Sequence, residues 1–152
     1  MTSSALMAFL HHLAAFTVVA ALAVEVALFK PPLTVLQARR LLRTDNIYGA
    51  AAGVVLVAGM LRVFFFEKGP GYYWHDAFFL IKLAAFLLAA LISIYPTIFF
   101  RSWRTGLKAG NAPEVAASSV RSVRLCLMFQ LTAIVVILLC APLMARGFGY
   151  FG

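Results

Sequence analysis

Residues 74–100 read WHDAFFLIKLAAFLLAALISIYPTIFF, and this stretch decides the fold. Lys82 is the one charge between Asp76 and Arg101. Twenty-seven residues in a helix extend about 40 Å, beyond the ~30 Å hydrocarbon core of a bilayer. The reading is a membrane-spanning helix with a cation inside it. A lysine facing lipid at that depth costs roughly 2.5–3.5 kcal/mol on insertion scales, so Lys82 is expected to face a bundle interior and a partner. Pro96 is expected to kink the far end.

Three other segments share this character. Ala5 to Phe29 is apolar except for His11, His12 and Glu25, and Lys30-Pro31-Pro32 ends it because proline restricts the residue before it and lacks a donor. Asn46 to Phe66 carries the GxxxG pair Gly49 and Gly53, then Gly59 and Arg62. Small residues at that spacing let another backbone approach, within the bundle or in a homo-oligomer seam. The last span is Val123 to Ala145, with Pro142 near its exit. Pro32 to Thr44, with Arg39, Arg40 and Arg43, reads as a short amphipathic helix at the interface, and Asp45 or Asn46 as the N-cap of the next span. The expectation is a single all-α domain over residues 1–152, an integral membrane four-helix bundle. Spans are placed at 5–29, 46–66, 74–100 and 123–145.

Composition agrees. The 152 residues are 64% hydrophobic and 12% charged, against about 45–50% and 25% in soluble domains. The net charge of +8 gathers at helix ends, which points to anionic lipid headgroups and to no nucleic acid. Cys126 and Cys140 lie about 21 Å apart along one helix, too far to bridge. The start, MTSSALM, lacks the basic region of a cleavable signal, so the first span is expected to stay.

Basic residues give the orientation. Lys30, Arg39, Arg40, Arg43, Arg101, Arg104, Lys108, Arg121 and Arg124 fall in or beside the first and third loops, while Lys68 and Arg146 fall in the second loop and the tail. The positive-inside rule then puts the basic loops in the cytoplasm and both termini outside. In this frame His11 or His12, Arg62, Glu67, His75 and Lys82 all occupy the outer half. Glu25, Asp45, Tyr48 and Gln130 form a second polar set in the inner half. Helix-end pairing of Glu25 with an interfacial arginine, or a proton path, would use it.

Neutral histidine ligates transition metals and haem iron. His11 or His12 with His75 would hold haem b between two helices. Arg62 and Lys82 would neutralise the propionates, or hold an anionic substrate or a quinone, with electron transfer to or from a quinone or tetrapyrrole. The leading reading is a haem b-binding inner-membrane redox protein, with an oxidoreductase activity left open. One rival is copper or zinc handling by His11, His12, His75 and Glu67. The other is an accessory subunit whose charges pair internally.

Leu10-His11-His12, Arg43 through Gly49, Gly59-Met60-Leu61-Arg62, Glu67-Lys68-Gly69, Ile81-Lys82 and Ser93 through Thr97 together resemble a bacterial family of small four-span predicted membrane proteins. More distantly, the chain is similar to CopD-like and HemJ-like membrane proteins. The shared features are a histidine in span one (His11 or His12), a late glycine in span two (Gly59) and an aromatic start to span three with an inward lysine (Trp74 through Lys82). That similarity implies haem b or copper. No histidine follows Lys82 in span three, which departs from the HemJ-like pattern.

Overall fold

The computed structural model describes residues 3–152. Its helices are α1 (Ser3–Leu28), α2 (Val35–Leu61), α3 (Pro70–Tyr73), α4 (Ala77–Ser102), α5 (Arg104–Lys108) and α6 (Ala117–Ala145). A π-helical turn, Arg62–Phe66, prolongs α2. Among the described residues four stretches are long and apolar enough to cross a membrane: Ser3–Leu28, Val35–Phe66, Ala77–Lys108 and Ala117–Ala145. α1 packs along α2 and α4 along α6, and α2–α4 and α1–α6 contacts join the two pairs into one bundle. Leucines and phenylalanines cover much of the outside, among them Phe16, Phe65, Leu91 and Leu138, as a lipid-facing surface requires.

The separate interfacial helix expected at Pro32–Thr44 is corrected. From Val35 onward that segment is the start of α2, which runs unbroken to Leu61. Its N-cap is Thr34, not Asp45 or Asn46. The Gln37 amide donates to Thr34 Oγ1 at 3.2 Å, and the Thr34 amide donates to Gln37 Oε1 at 2.9 Å. This reciprocal capping box satisfies two donors at the helix start. Asp45 lies inside α2, where Thr97 of α4 donates to its Oδ1 at 2.6 Å. A bond across helices occupies the side chain that would otherwise compete with the local backbone.

Span boundaries shift for similar reasons. α4 begins at Ala77, because Asp76 Oδ1 accepts the Phe79 amide at 3.0 Å as an N-cap. α6 begins at Ala117, six residues before the expected Val123. Gly49 and Gly53 are exposed, with open space around each, so the expected use of this pair in packing within the bundle is also corrected.

The core is densest at the basic end. Phe100 packs there between Phe29 and Trp103 in tilted pairs, with ring centroids 5.7 and 5.2 Å apart, and Leu22, Leu41 and Leu127 are fully enclosed. Arg39 donates to the Leu107 carbonyl at 2.8 Å and ties α2 to α5. A smaller cluster of Val63, Tyr73 and Phe79 closes the opposite end. Packing between these clusters is incomplete, and the space left there is the candidate site.

Candidate functional site

A cavity of about 340 Å³ opens between α1, α2, α4 and α6 in the half of the bundle that holds Glu67. Its walls are apolar: Ala15, Val55, Met60, Leu83, Phe86 and Ile137 among others. Its polar lining is His11, His12, Arg62, Glu67, Tyr73 and Lys82. Five of these six residues were expected in the outer half from the sequence.

His11 is held from two sides. Its Nδ1 lies 3.1 Å from the Val55 carbonyl of α2. A carbonyl only accepts, so Nδ1 carries the hydrogen and Nε2 keeps its lone pair. The ring also lies against Gly59. A Cβ added at Gly59 would stand 3.1 Å from His11 Cε1 and 3.4 Å from Nδ1. Glycine at that position is what lets the imidazole press against α2. His12 stands beside it, ring centroids 5.9 Å apart and edge-on, and is exposed.

Arg62 opens the π-helical turn, and such turns are frequent at functional sites. Its guanidinium is bound to Glu67: Nη2 donates to Oε1 at 2.6 Å and Nε at 3.2 Å. This places the first expected cation beside its own counter-ion. It also occupies the carboxylate proposed from sequence as a metal ligand.

Lys82 differs. Among the described residues it has no hydrogen bond and no ion pair. Arg62, of like sign, acts on it through space. Its side chain is half-buried and lines the cavity. Lys82 faces the bundle, and the partner expected for it is not found among the described residues.

His75 lies elsewhere. Its Nδ1 donates to the Gly71 carbonyl at 2.8 Å, its carbonyl accepts the Phe151 amide at 3.0 Å, and its ring packs on Phe151. It does not line the cavity. The cavity therefore does not bring His75 together with His11 or His12, as the expected haem pairing and metal set would need. Among the described residues no group of three or more His, Cys, Asp or Glu side chains is arranged to hold a metal ion. His75 instead clamps the C-terminal tail. The tail continues with Ala77 donating to the Gly149 carbonyl at 2.9 Å and Tyr150 stacking on Tyr72 at 4.7 Å. Gly149 has φ +89°, and a Cβ there would meet Phe78 Cδ2 at 2.6 Å, so only glycine fits. His75→Ala is expected to loosen this tail, read as faster amide hydrogen exchange at Phe151. Ligand content should stay within about twofold of the parent, since the residue lies outside the cavity.

Tyr73 is not among the residues that the sequence singles out. It is buried and lines the cavity. Burial pushes its hydroxyl pKa up and nearby Glu67 adds to this, with Arg62 opposing. The hydroxyl is a neutral donor at physiological pH. No motif marks it; only the turn that folds α3 back beneath α4 brings it in.

The arrangement defines a class: a four-span helical membrane protein with an apolar cavity in one half of the bundle and an uncompensated cation on its wall. The chain belongs to the family described as "Predicted membrane protein (DUF2214)", whose model matches residues 3–149. Comparison with curated proteins and with solved structures gave no match.

Proposed function

We propose that the cavity binds a lipid-soluble redox ring, a quinone, with Lys82 and His11 as its two polar contacts. The observation that carries this is Lys82. An ammonium at membrane depth with no hydrogen bond and no ion pair among the described residues calls for an electron-rich oxygen. A cavity of about 340 Å³ with apolar walls lies within the usual range for small-molecule sites. A quinone supplies carbonyl oxygens on a flat apolar body. Lys82 Nζ donates to one of them, and the bond strengthens as charge grows on that oxygen. His11 Nε2 accepts from the ring's hydroxyl in its reduced form. Reversible electron carriage within the bilayer is the function this serves.

A second reading is favoured by the fixed His11 tautomer. Imidazole with Nδ1–H on a backbone carbonyl is the usual state of a haem-ligating histidine. The residues fit haem b with one protein ligand, His11, and with Lys82 on a propionate. Bound haem would supply one-electron redox chemistry. Copper or zinc handling has less support, because Glu67 is engaged by Arg62 and His75 points into the tail. An accessory role with internally paired charges accounts for Arg62 but not for Lys82.

The test is titration of the purified protein in lipid nanodiscs with a short-chain benzoquinone, followed by calorimetry. Saturable binding with one site per chain supports the quinone reading. A Soret band in the untreated protein with no quinone binding moves the assignment to haem. The proposed orientation places Glu67, and hence the cavity, in the outer half of a bacterial inner membrane. Reporter fusions at Gly152 and in the loop of residues 106–113 are then expected on opposite sides, with Gly152 outside. A cytoplasmic Gly152 would invert the cavity.

A further inference from the structure

Below the cavity, towards the basic end, the bundle encloses two carboxyl groups. Glu25 of α1 and Asp45 of α2 are 2% and 4% exposed. Neither has an ion pair; the one salt bridge among the described residues is Arg62–Glu67. Arg101 and Arg104 are the cations that act on Asp45 through space, and Asp45 is the charged group that acts on Glu25. This overturns the expected pairing of Glu25 with an interfacial arginine. Thr97 satisfies Asp45 Oδ1, but Asp45 Oδ2 and Glu25 Oε1 are buried with no donor. α6 adds another buried acceptor without a donor, Gln130 Oε1.

Tyr48 provides the second observation. It is buried, its hydroxyl has no hydrogen bond among the described residues, and both Glu25 and Asp45 act on it. It also lines a smaller cavity of about 80 Å³. That volume is enough for water, which needs roughly 10–15 Å³ on this measure. Ala15, Val55, Phe86, Ile137 and Leu138 line both this cavity and the larger one that holds Lys82 and His11. The two spaces therefore share walls along the bundle axis.

We infer that Glu25 and Asp45 form a proton-holding carboxyl pair that exchanges protons with the larger cavity by way of Tyr48. Two carboxylates enclosed in one apolar interior, neither with an ion pair, repel each other and leave oxygens unsatisfied. A proton on the pair removes charge and supplies the missing donor. Transfer balances at each step. The carboxyl O–H bond breaks as its proton passes to the Tyr48 oxygen. The Tyr48 O–H bond breaks as its own proton passes to water in the small cavity. The carboxylate left behind regains a proton by the reverse transfer, from water in the small cavity through Tyr48, so the pair exchanges protons without net loss. Asp45 stays oriented by Thr97 throughout. Delivery of that proton to a reduced ring rests on the quinone reading; the carboxyl pair does not.

Infrared spectroscopy of the ligand-free protein in nanodiscs at neutral pH tests the pair by itself. An un-ionised carboxylic acid carbonyl band is expected. Glu25→Gln and Asp45→Asn, both close in shape to the parent, should each abolish or shift it. Transfer into deuterium oxide should shift the band, and Tyr48→Phe should slow that shift at least tenfold. Absence of the band in the unmodified protein, with carboxylate bands that respond to sodium instead, would overturn the inference in favour of a bound cation. A band unchanged in both carboxyl variants would overturn it as well. Calorimetric titration with quinone is independent of both results.

Discussion

Lys82→Met is expected to lower quinone affinity by about ten- to a hundredfold while the protein still inserts and elutes as a folded species. A charge-assisted hydrogen bond is worth about 1.5–3 kcal/mol, and each 1.4 kcal/mol is a factor of ten. Methionine keeps the length and apolar stem of lysine, so the cavity wall survives. Removing a cation with no counter-ion from the bundle should also raise thermal stability slightly, because no carboxylate is orphaned by its loss. That opposition separates a binding lysine from a structural one. A structural lysine would lose stability on substitution, as Arg62 should, since its removal strands Glu67. Calorimetric titration and a melting curve on the same preparations read both quantities.

Gly59→Val is expected to produce the second large effect. A Cβ at this position already lies 3.1 Å from His11 Cε1, closer than ordinary van der Waals contact, and the two methyl groups of valine drive further into the ring. The backbone of α2 is fixed by packing, so the imidazole must swing away and break its bond to the Val55 carbonyl. Overpacking of this kind costs about 1–3 kcal/mol. Loss of the tautomer lock should lower ligand affinity by about tenfold. Gly59→Ala, whose single methyl asks the ring to yield a few tenths of an ångström, should cost about threefold. Titrations of the two variants beside His11→Ala check this. A loss in Gly59→Val as large as in His11→Ala, with a smaller one in Gly59→Ala, is the expected result; equal losses in all three would contradict it.

Much of the architecture was legible in the sequence. Four apolar runs of spanning length, ended by Lys30-Pro31-Pro32, by Glu67-Lys68-Gly69-Pro70 and by the polar stretch after Phe100, correspond to the four long helices. Depth also carried over. Counting residues from each helix end put His11, His12, Arg62, Glu67 and Lys82 at one level, and these side chains line one cavity. The start of α2 was missed although its signal was present. Thr34 and Gln37 spell a capping box three residues apart, but the arginines after them drew the reading towards a separate surface helix. Where His75 points is not legible in the sequence, because depth says nothing of direction. Its ring is turned outward by a bond to Gly71 and by a tail that arrives from the far end of the chain. The engagement of Arg62 with Glu67 depends on the π-helical turn between them, which no periodicity in Arg62–Phe66 announces. The convergence of Glu25, Asp45 and Tyr48 was suggested by shared depth, but the missing arginine partner for Glu25 is a matter of side-chain packing.

The central claim is that Lys82 holds a lipid-soluble ring in the cavity. Its most direct test is solvent extraction of protein purified from native membranes in mild detergent, with quinone and haem quantified per chain. The account predicts quinone near one equivalent in the parent and at least tenfold less in Lys82→Met, with equal recovery of folded protein. Equal quinone in the two preparations at the level of bulk lipid carry-over would contradict it.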